Sequence, residues 1–161
     1  MKHALRRTAT ALAAGAASLA VTTSTATAAV PHTSAAPAVA PYVNIVASAT
    51  MGSCVEFRVC FWTGDNYSGY LYRFGGDYAP CEGWRFEGTR LQDHTYSFWN
   101  RASGRVSVWD RYADGSYRYH KLGSFPRGFQ DGYRFSYRTD AWVYDPNDNC
   151  ASLNLHVVSA A

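Results

Sequence analysis

Beyond Gly52 the chain holds three histidines (His94, His120 and His156), four cysteines and all twelve of its acidic residues, and any reaction chemistry has to be built from these. A zinc hydrolase needs two histidines one helical turn apart with a glutamate beside the first, and no H-E-x-x-H occurs. No serine sits in G-x-S-x-G, the turn that exposes a hydrolase nucleophile. Five, twenty and sixty-eight residues separate the cysteines, with no C-x-x-C pair to suggest a metal knot. An even number of cysteines points instead to disulfides, and Cys54, Cys60, Cys81 and Cys150 allow three pairings. The pairing Cys60–Cys81 with Cys54–Cys150 is favoured, because the second bridge would tie the ends of the domain together. Oxidised cysteines are not nucleophiles. His156 alternates outward on a strand pattern, and nothing singles out a carboxylate pair. The expectation is a protein with no catalytic residue, not an enzyme.

The elements that carry these groups lie in one part of the chain. Of 161 residues, 15 are Lys or Arg and 12 Asp or Glu, a formal charge of +3. Lys2, Arg6 and Arg7 supply that whole excess. They precede an Ala-rich apolar run from Ala11 to Val21 and an A-x-A pattern at Ala26-Thr27-Ala28. Residues 1–28 are thus expected to be a secretory signal peptide using the general route, and the product to be extracellular. The remaining charge is balanced, which argues against nucleic acid, since counterion displacement needs a basic stripe. No run reaches the roughly 18 apolar residues of a membrane span. Residues 29–52, with Pro31, Pro37 and Pro41 among Ala, Ser and Thr, are expected to be a flexible linker or pro-segment. Val43-Asn44-Ile45-Val46 is the one stretch there with the propensity to pair onto a sheet edge. Residues 53–158 make the folded domain, expected to be monomeric.

Within that domain apolar residues recur every second position. Val55, Phe57, Val59 and Phe61 form one run; Tyr70, Tyr72 and Phe74 a second; Val106 and Val108 lead into Trp109. Tyr117 with Tyr119, then Tyr133, Phe135 and Tyr137, then Leu153, Leu155 and Val157 continue the pattern. These are strands by period and residue type. Turn residues at 63–66, 113–116 and 145–148 separate them. No helical segment is apparent. Arg90 to Trp99 can be laid over Arg134 to Val143, a faint repeat that fits two related Greek-key units. The fold class predicted is all-β, a small disulfide-bonded Greek-key β-sandwich.

Trp62, Tyr67 and Gly69 stand at the spacing of the βγ-crystallin signature, aromatic, aromatic and glycine, with Asp93 and Ser97 supplying its later part. In the second unit Trp109 is followed by Asp114 and Ser116 instead, a departure from the pattern. Cys60-Phe61-Trp62, Tyr67-Ser68-Gly69 and Tyr96 to Asn100 together resemble the secreted actinobacterial peptidase inhibitors of the metalloproteinase-inhibitor type. The resemblance covers about residues 53–150 and implies a βγ-crystallin-like sandwich of two related motifs whose partner is an extracellular protease, a metalloprotease first. It also brings a calcium site into consideration, with Asp93 and Ser97 as oxygen ligands, although Gln92 and Tyr96 depart from the binding stretch. The alternative there is that both residues close a turn, and no cofactor is otherwise expected.

Inhibition requires a rigid loop that enters a cleft and is not released as product. Two loops are candidates: Gly75 to Cys81, presenting Tyr78 and Ala79, and Gly123 to Gly128, presenting Phe125 and Pro126. A different class of function, an extracellular module for glycan or cell wall, is suggested by Arg interleaved with Tyr at 117–121 and 133–138. Strand pleating alone also produces that alternation, with a buried aromatic face and solvated arginines opposite.

Overall fold

The computed structural model describes residues 38–158 except 56, 57, 134, 136 and 137. Ten strands follow one another: β1 (Tyr42–Val46), β2 (Val59–Gly64), β3 (Ser68–Gly75), β4 (Glu82–Arg85) and β5 (Ser97–Asn100), then β6 (Val106–Arg111), β7 (Tyr119–Phe125), β8 (Gln130–Asp131), β9 (Ala141–Tyr144) and β10 (Asn154–Val157). The described residues contain no α-helix, only short 3-10 turns at Met51–Cys54 and Asp65–Tyr67. Two sheets result, ordered β1-β3-β2-β5-β8 and β10-β4-β9-β6-β7.

The order exposes two four-strand units. Strands β2 to β5 form the first, but β4 leaves for the second sheet and pairs with β9. Strands β6 to β9 form the second, and β8 crosses back to pair with β5. Each unit therefore lends its third strand to the other's sheet, an arrangement compatible with a βγ-crystallin-like fold. The faint repeat aligns Ser97–Asn100 with Ala141–Tyr144, and these are β5 and β9, the matching fourth strands.

Between the sheets lies an aromatic core. Val59 and Phe61 of β2 and Tyr72 and Phe74 of β3 meet Trp84, Val106, Val108 and Trp142 from the other layer. Phe61 packs edge-on against Phe74 and Phe86, at 6.0 and 5.3 Å, the geometry that ring quadrupoles favour. The alternating residues of β2 are also buried. Cys60 and Trp62 point to the outer face, where Ala49, Cys54 and Leu71 cover them. A matching outer cluster on the second sheet joins Trp109, Ala141, Val143 and Cys150.

The structure changes several expectations. The disulfides are Cys54–Cys60 and Cys81–Cys150 rather than Cys60–Cys81 and Cys54–Cys150. Cys60 and Cys81 belong to outer clusters of different sheets, with the core between them, so they cannot bond. Folding begins before Ser53, since β1 pairs antiparallel with β3 and sets Val43 and Ile45 against the core. Val55 sits in a turn, and the first run becomes regular only at Val59. Among the residues of the expected strand at 133–137, Tyr133 and Phe135 lie outside regular strands; the other three are outside the described residues.

Candidate functional site

One end of the sandwich gathers both candidate inhibitory loops. The 76–81 loop joins β3 to β4, and the 126–129 turn joins β7 to β8. Buried Asn100, at the end of β5, couples the second of these to the connection between units. Its Nδ2 donates to Phe125 O and to Gly104 O, both at 3.0 Å. Ser103 of the same connection meets Tyr144 Oη at 3.1 Å. Tyr144 in turn accepts from Cys81 N at 2.7 Å.

Tyr78 is not presented to solvent. Its hydroxyl donates to Gly75 O at 2.8 Å and accepts from Trp84 Nε1 at 3.0 Å, while its ring lies 5.0 Å from Trp142. Burial pushes the phenol's pKa up. Tyr78 thus plugs the base of the loop and leaves Asp77, Ala79 and Pro80 exposed at its tip. The flanks are held on both sides. Asp77 N donates to Val39 O and Asp77 Oδ2 accepts from Val39 N, at 2.8 and 2.9 Å. Ala79 N reaches Glu82 Oε2 at 2.7 Å, Glu82 N returns to Ala79 O at 3.1 Å, and Cys81 is bridged to Cys150.

Phe125 is likewise folded inward. It packs against Phe98, Phe129 and Phe135 at 5.6, 4.6 and 4.9 Å. The exposed residues of its loop are Pro126, Arg127 and Gly128. Gly128 has φ +82°, a left-handed conformation suited to glycine, and its N–H donates to Asn100 O at 2.8 Å. Of the four side chains singled out in the two loops, Ala79 and Pro126 are exposed at the tips, whereas Tyr78 and Phe125 turn toward the core. Large aromatics next to a thin core are drawn into it by the area they bury.

The calcium candidates Asp93 and Ser97 separate. Ser97, the first residue of β5, is fully buried and holds the hairpin between β2 and β3 through its side chain. Its Oγ donates to Gly64 O at 2.7 Å and accepts from Tyr67 N at 3.0 Å. That bond sets Tyr67 edge-on over Trp62 at 5.1 Å. Gly69 there has φ +76°, as the aromatic–aromatic–glycine spacing requires. Asp93 instead joins Asp110 and Asp140, with one carboxylate oxygen of each within 4.8 Å of the others. Asp110 Oδ2 accepts from Arg138 at 2.5 Å and lies 3.4 Å from His120 Nε2. Asp140 is 7% exposed; its Oδ2 accepts from Arg111 N at 3.0 Å and its Oδ1 has no partner. Burial, reinforced by Asp93 and Asp110, pushes the Asp140 carboxyl up to about 6 against the opposing Arg111 N–H. Three acids from three separate segments leave no local spacing signal, so Asp110 and Asp140 were not legible as a group.

Among the described residues, the other two histidines make local contacts. His156 Nε2 meets Glu82 Oε1 at 2.8 Å and its ring lies 5.0 Å from Trp84. His94 Nδ1 lies 2.7 Å from Gln92 O.

A two-sheet, disulfide-bonded β-sandwich with clamped loops at one end is a scaffold suited to presenting a loop to a protein partner. Residues 47–118, from the segment before the first 3-10 turn through β6 and up to the start of β7, match the model of peptidase inhibitor family I36. This supports an inhibitor's role and carries the likeness seen in the Cys60–Trp62 and Tyr67–Gly69 motifs. No curated protein and no solved structure matches the chain. Among the described residues no helix is long and apolar enough to cross a membrane.

Proposed function

We propose that the chain is a secreted inhibitor of an extracellular peptidase, with metallopeptidases the first class to test, and that the 76–81 loop enters the cleft with Ala79 and Pro80 leading. The observation that carries this is the loop's construction: exposed tip residues between flanks fixed by Tyr78, Glu82 and the Cys81–Cys150 bridge. A loop already ordered by folding loses little further entropy on binding, so more of the contact energy appears as affinity. Proline fixes its own backbone and has no N–H to offer, which makes the Ala79–Pro80 bond a poor substrate for cleavage while leaving the loop free to bind. The chain's own residues thus close the segment into a turn, with Glu82 N on Ala79 O and Cys81 at φ +65°, and keep Asp77, Ala79 and Pro80 exposed at its tip.

Titration of a thermolysin-type metalloprotease and a subtilisin-type serine protease with the secreted protein tests this. Stoichiometric loss of activity is expected for at least the metalloprotease. Ala79→Asp should weaken inhibition about a hundredfold, a loss of about 3 kcal/mol, whereas Pro126→Asp should leave it unchanged. The reverse pattern transfers the role to the 126–128 turn. Full activity of both proteases at excess protein rejects the inhibitor role for those classes.

A second reading concerns calcium. Asp93, Asp110 and Asp140, not Ser97, would hold the ion, and the unpartnered Oδ1 of buried Asp140 favours it. A Ca²⁺ ion takes six to eight oxygens, so water and carbonyls would complete the shell. Millimolar Ca²⁺ should raise the melting temperature of the wild type and not that of Asp140→Asn; an unmoved wild-type transition removes the site.

A further inference from the structure

On the outer face of the second sheet lies a groove of about 510 Å³, lined among others by Arg85, Trp109, Tyr112, Tyr117, Arg118 and Leu155. Its origin is the departure of the second unit from the first. In the first, Ser97 draws the hairpin down so that Tyr67 covers Trp62. The register pairs Trp62 with Ser97 and, equivalently, Trp109 with Ala141. Ala141 has no hydroxyl to hold a hairpin, and Trp109, itself 8% exposed, lies at the base of a groove whose walls include Tyr112, Tyr117 and Arg118 of the 112–118 loop.

The lining has a definite chemistry. Its charged members are two arginines, with no carboxylate among the described lining residues. Glu87 and Asp114 hold those guanidinium groups, Arg85 at 3.6 Å and Arg118 in an (i, i+4) pair. Arg85 Nε and Trp109 Nε1 lie buried without an acceptor beneath the groove, as the indole N–H of Trp62 does beneath Tyr67. Tyr117 is 64% exposed, with Arg85 stacked against its ring at 5.2 Å. Tyr112 carries Arg118 in the same way at 5.2 Å. Cationic forks and hydrogen-bond donors are therefore set among flat aromatic faces and the hydroxyls of Tyr112, Tyr117, Tyr119 and Ser152.

We propose that this groove binds an acidic saccharide, a sugar bearing a carboxylate. A guanidinium fork takes a carboxylate through paired N–H bonds, an aromatic face receives the apolar face of a ring, and the hydroxyls match those of the sugar. The volume falls within the range of small-ligand sites. A peptide adding as a strand needs a free sheet edge, yet the groove crosses the face of the sheet, where β4, β9 and β6 are each paired on both sides. The proposal does not depend on protease inhibition.

The test is calorimetry and tryptophan fluorescence of the secreted protein with four probes: trigalacturonate, sialyllactose, neutral cellotriose and an acidic tripeptide. At least one acidic saccharide should bind with a Kd at or below about 1 mM and change Trp emission, with cellotriose at least tenfold weaker. Tyr117→Ala and Arg85→Met should each weaken it by about tenfold or more. Tyr117 is exposed, so its variant should keep the wild-type melting temperature, whatever becomes of Arg85→Met. Neither variant should alter inhibition, and Ala79→Asp should not alter sugar binding. No binding of either acidic sugar, equal binding of cellotriose, tighter binding of the tripeptide, or an unchanged Tyr117→Ala would each overturn the proposal.

Discussion

The two Greek-key units treat the same position in opposite ways. Trp62 and Trp109 occupy matching places opposite the start of β5 and β9. The first is sealed by Tyr67 through a single serine hydroxyl, whereas the second remains the base of a groove. Both outer faces also carry a disulfide, but Cys54–Cys60 spans a separation of 6 residues and Cys81–Cys150 one of 69. A repeat can thus keep its strand order while the loop joining two strands either folds over one face or leaves it grooved.

Experiments can strain this contrast from several directions. The largest effect is expected from the bridges. By loop-closure entropy, replacing Cys81 and Cys150 with serine should cost about 4 kcal/mol, against about 2 kcal/mol for Cys54 and Cys60. Denaturant melts under oxidising conditions measure both, and equal losses would mean that native-state strain or residual unfolded structure governs instead. Next comes the clamp. Ser97→Ala should cost about 2 kcal/mol, because Gly64 O and Tyr67 N lose a buried partner. Ala141→Ser should give no matching gain, since no hairpin lies within reach of the new hydroxyl. If the serine stabilised the second unit, the groove would be a side-chain accident and not a property of the loop course.

Asp140 provides the most specific test. Its folded-state pKa is raised to about 6, above the unfolded value. The native state therefore holds a proton between about pH 4 and 6 that the unfolded chain has released, and stability falls as pH rises through that window. The contribution lost is about 3 kcal/mol. Asp140→Asn should flatten this slope relative to wild type. An unchanged difference between the two pH profiles would show that the carboxylate finds compensation when ionised.

The sequence made some of this visible. The hairpin of Trp62, Tyr67 and Gly69 could be read directly, because aromatic spacing and a left-handed glycine are local requirements. So could the equivalence of β5 and β9, which survived as Ser97–Asn100 against Ala141–Tyr144. Strand β4 could not be seen in Glu82–Arg85, a four-residue stretch containing glycine. Its reason is tertiary: a Cβ on Gly83 would stand 1.9 Å from Trp142 O of the neighbouring strand. β1 was legible in part, since Val43 to Val46 has the propensity to pair onto a sheet edge, but the strand it pairs with, β3, lies about thirty residues on and leaves no local sign. The disulfide partners and the Asp93, Asp110 and Asp140 group depend on which sheet each segment joins, and that information is nonlocal.

The exchanged third strands impose a timetable on a chain made from its N-terminus. When residue 100 has been synthesised, β4 exists but the sheet that receives it does not, and β5 still lacks β8. The Cys54–Cys60 bridge can form as soon as its short segment appears. Cys81, by contrast, has no native partner until Cys150 has followed, 69 residues later. The loop proposed to meet the protease, anchored at Cys81, is therefore among the last parts to become rigid. Unfinished copies would offer that loop slack, and so would be expected to bind a protease weakly and to be cut.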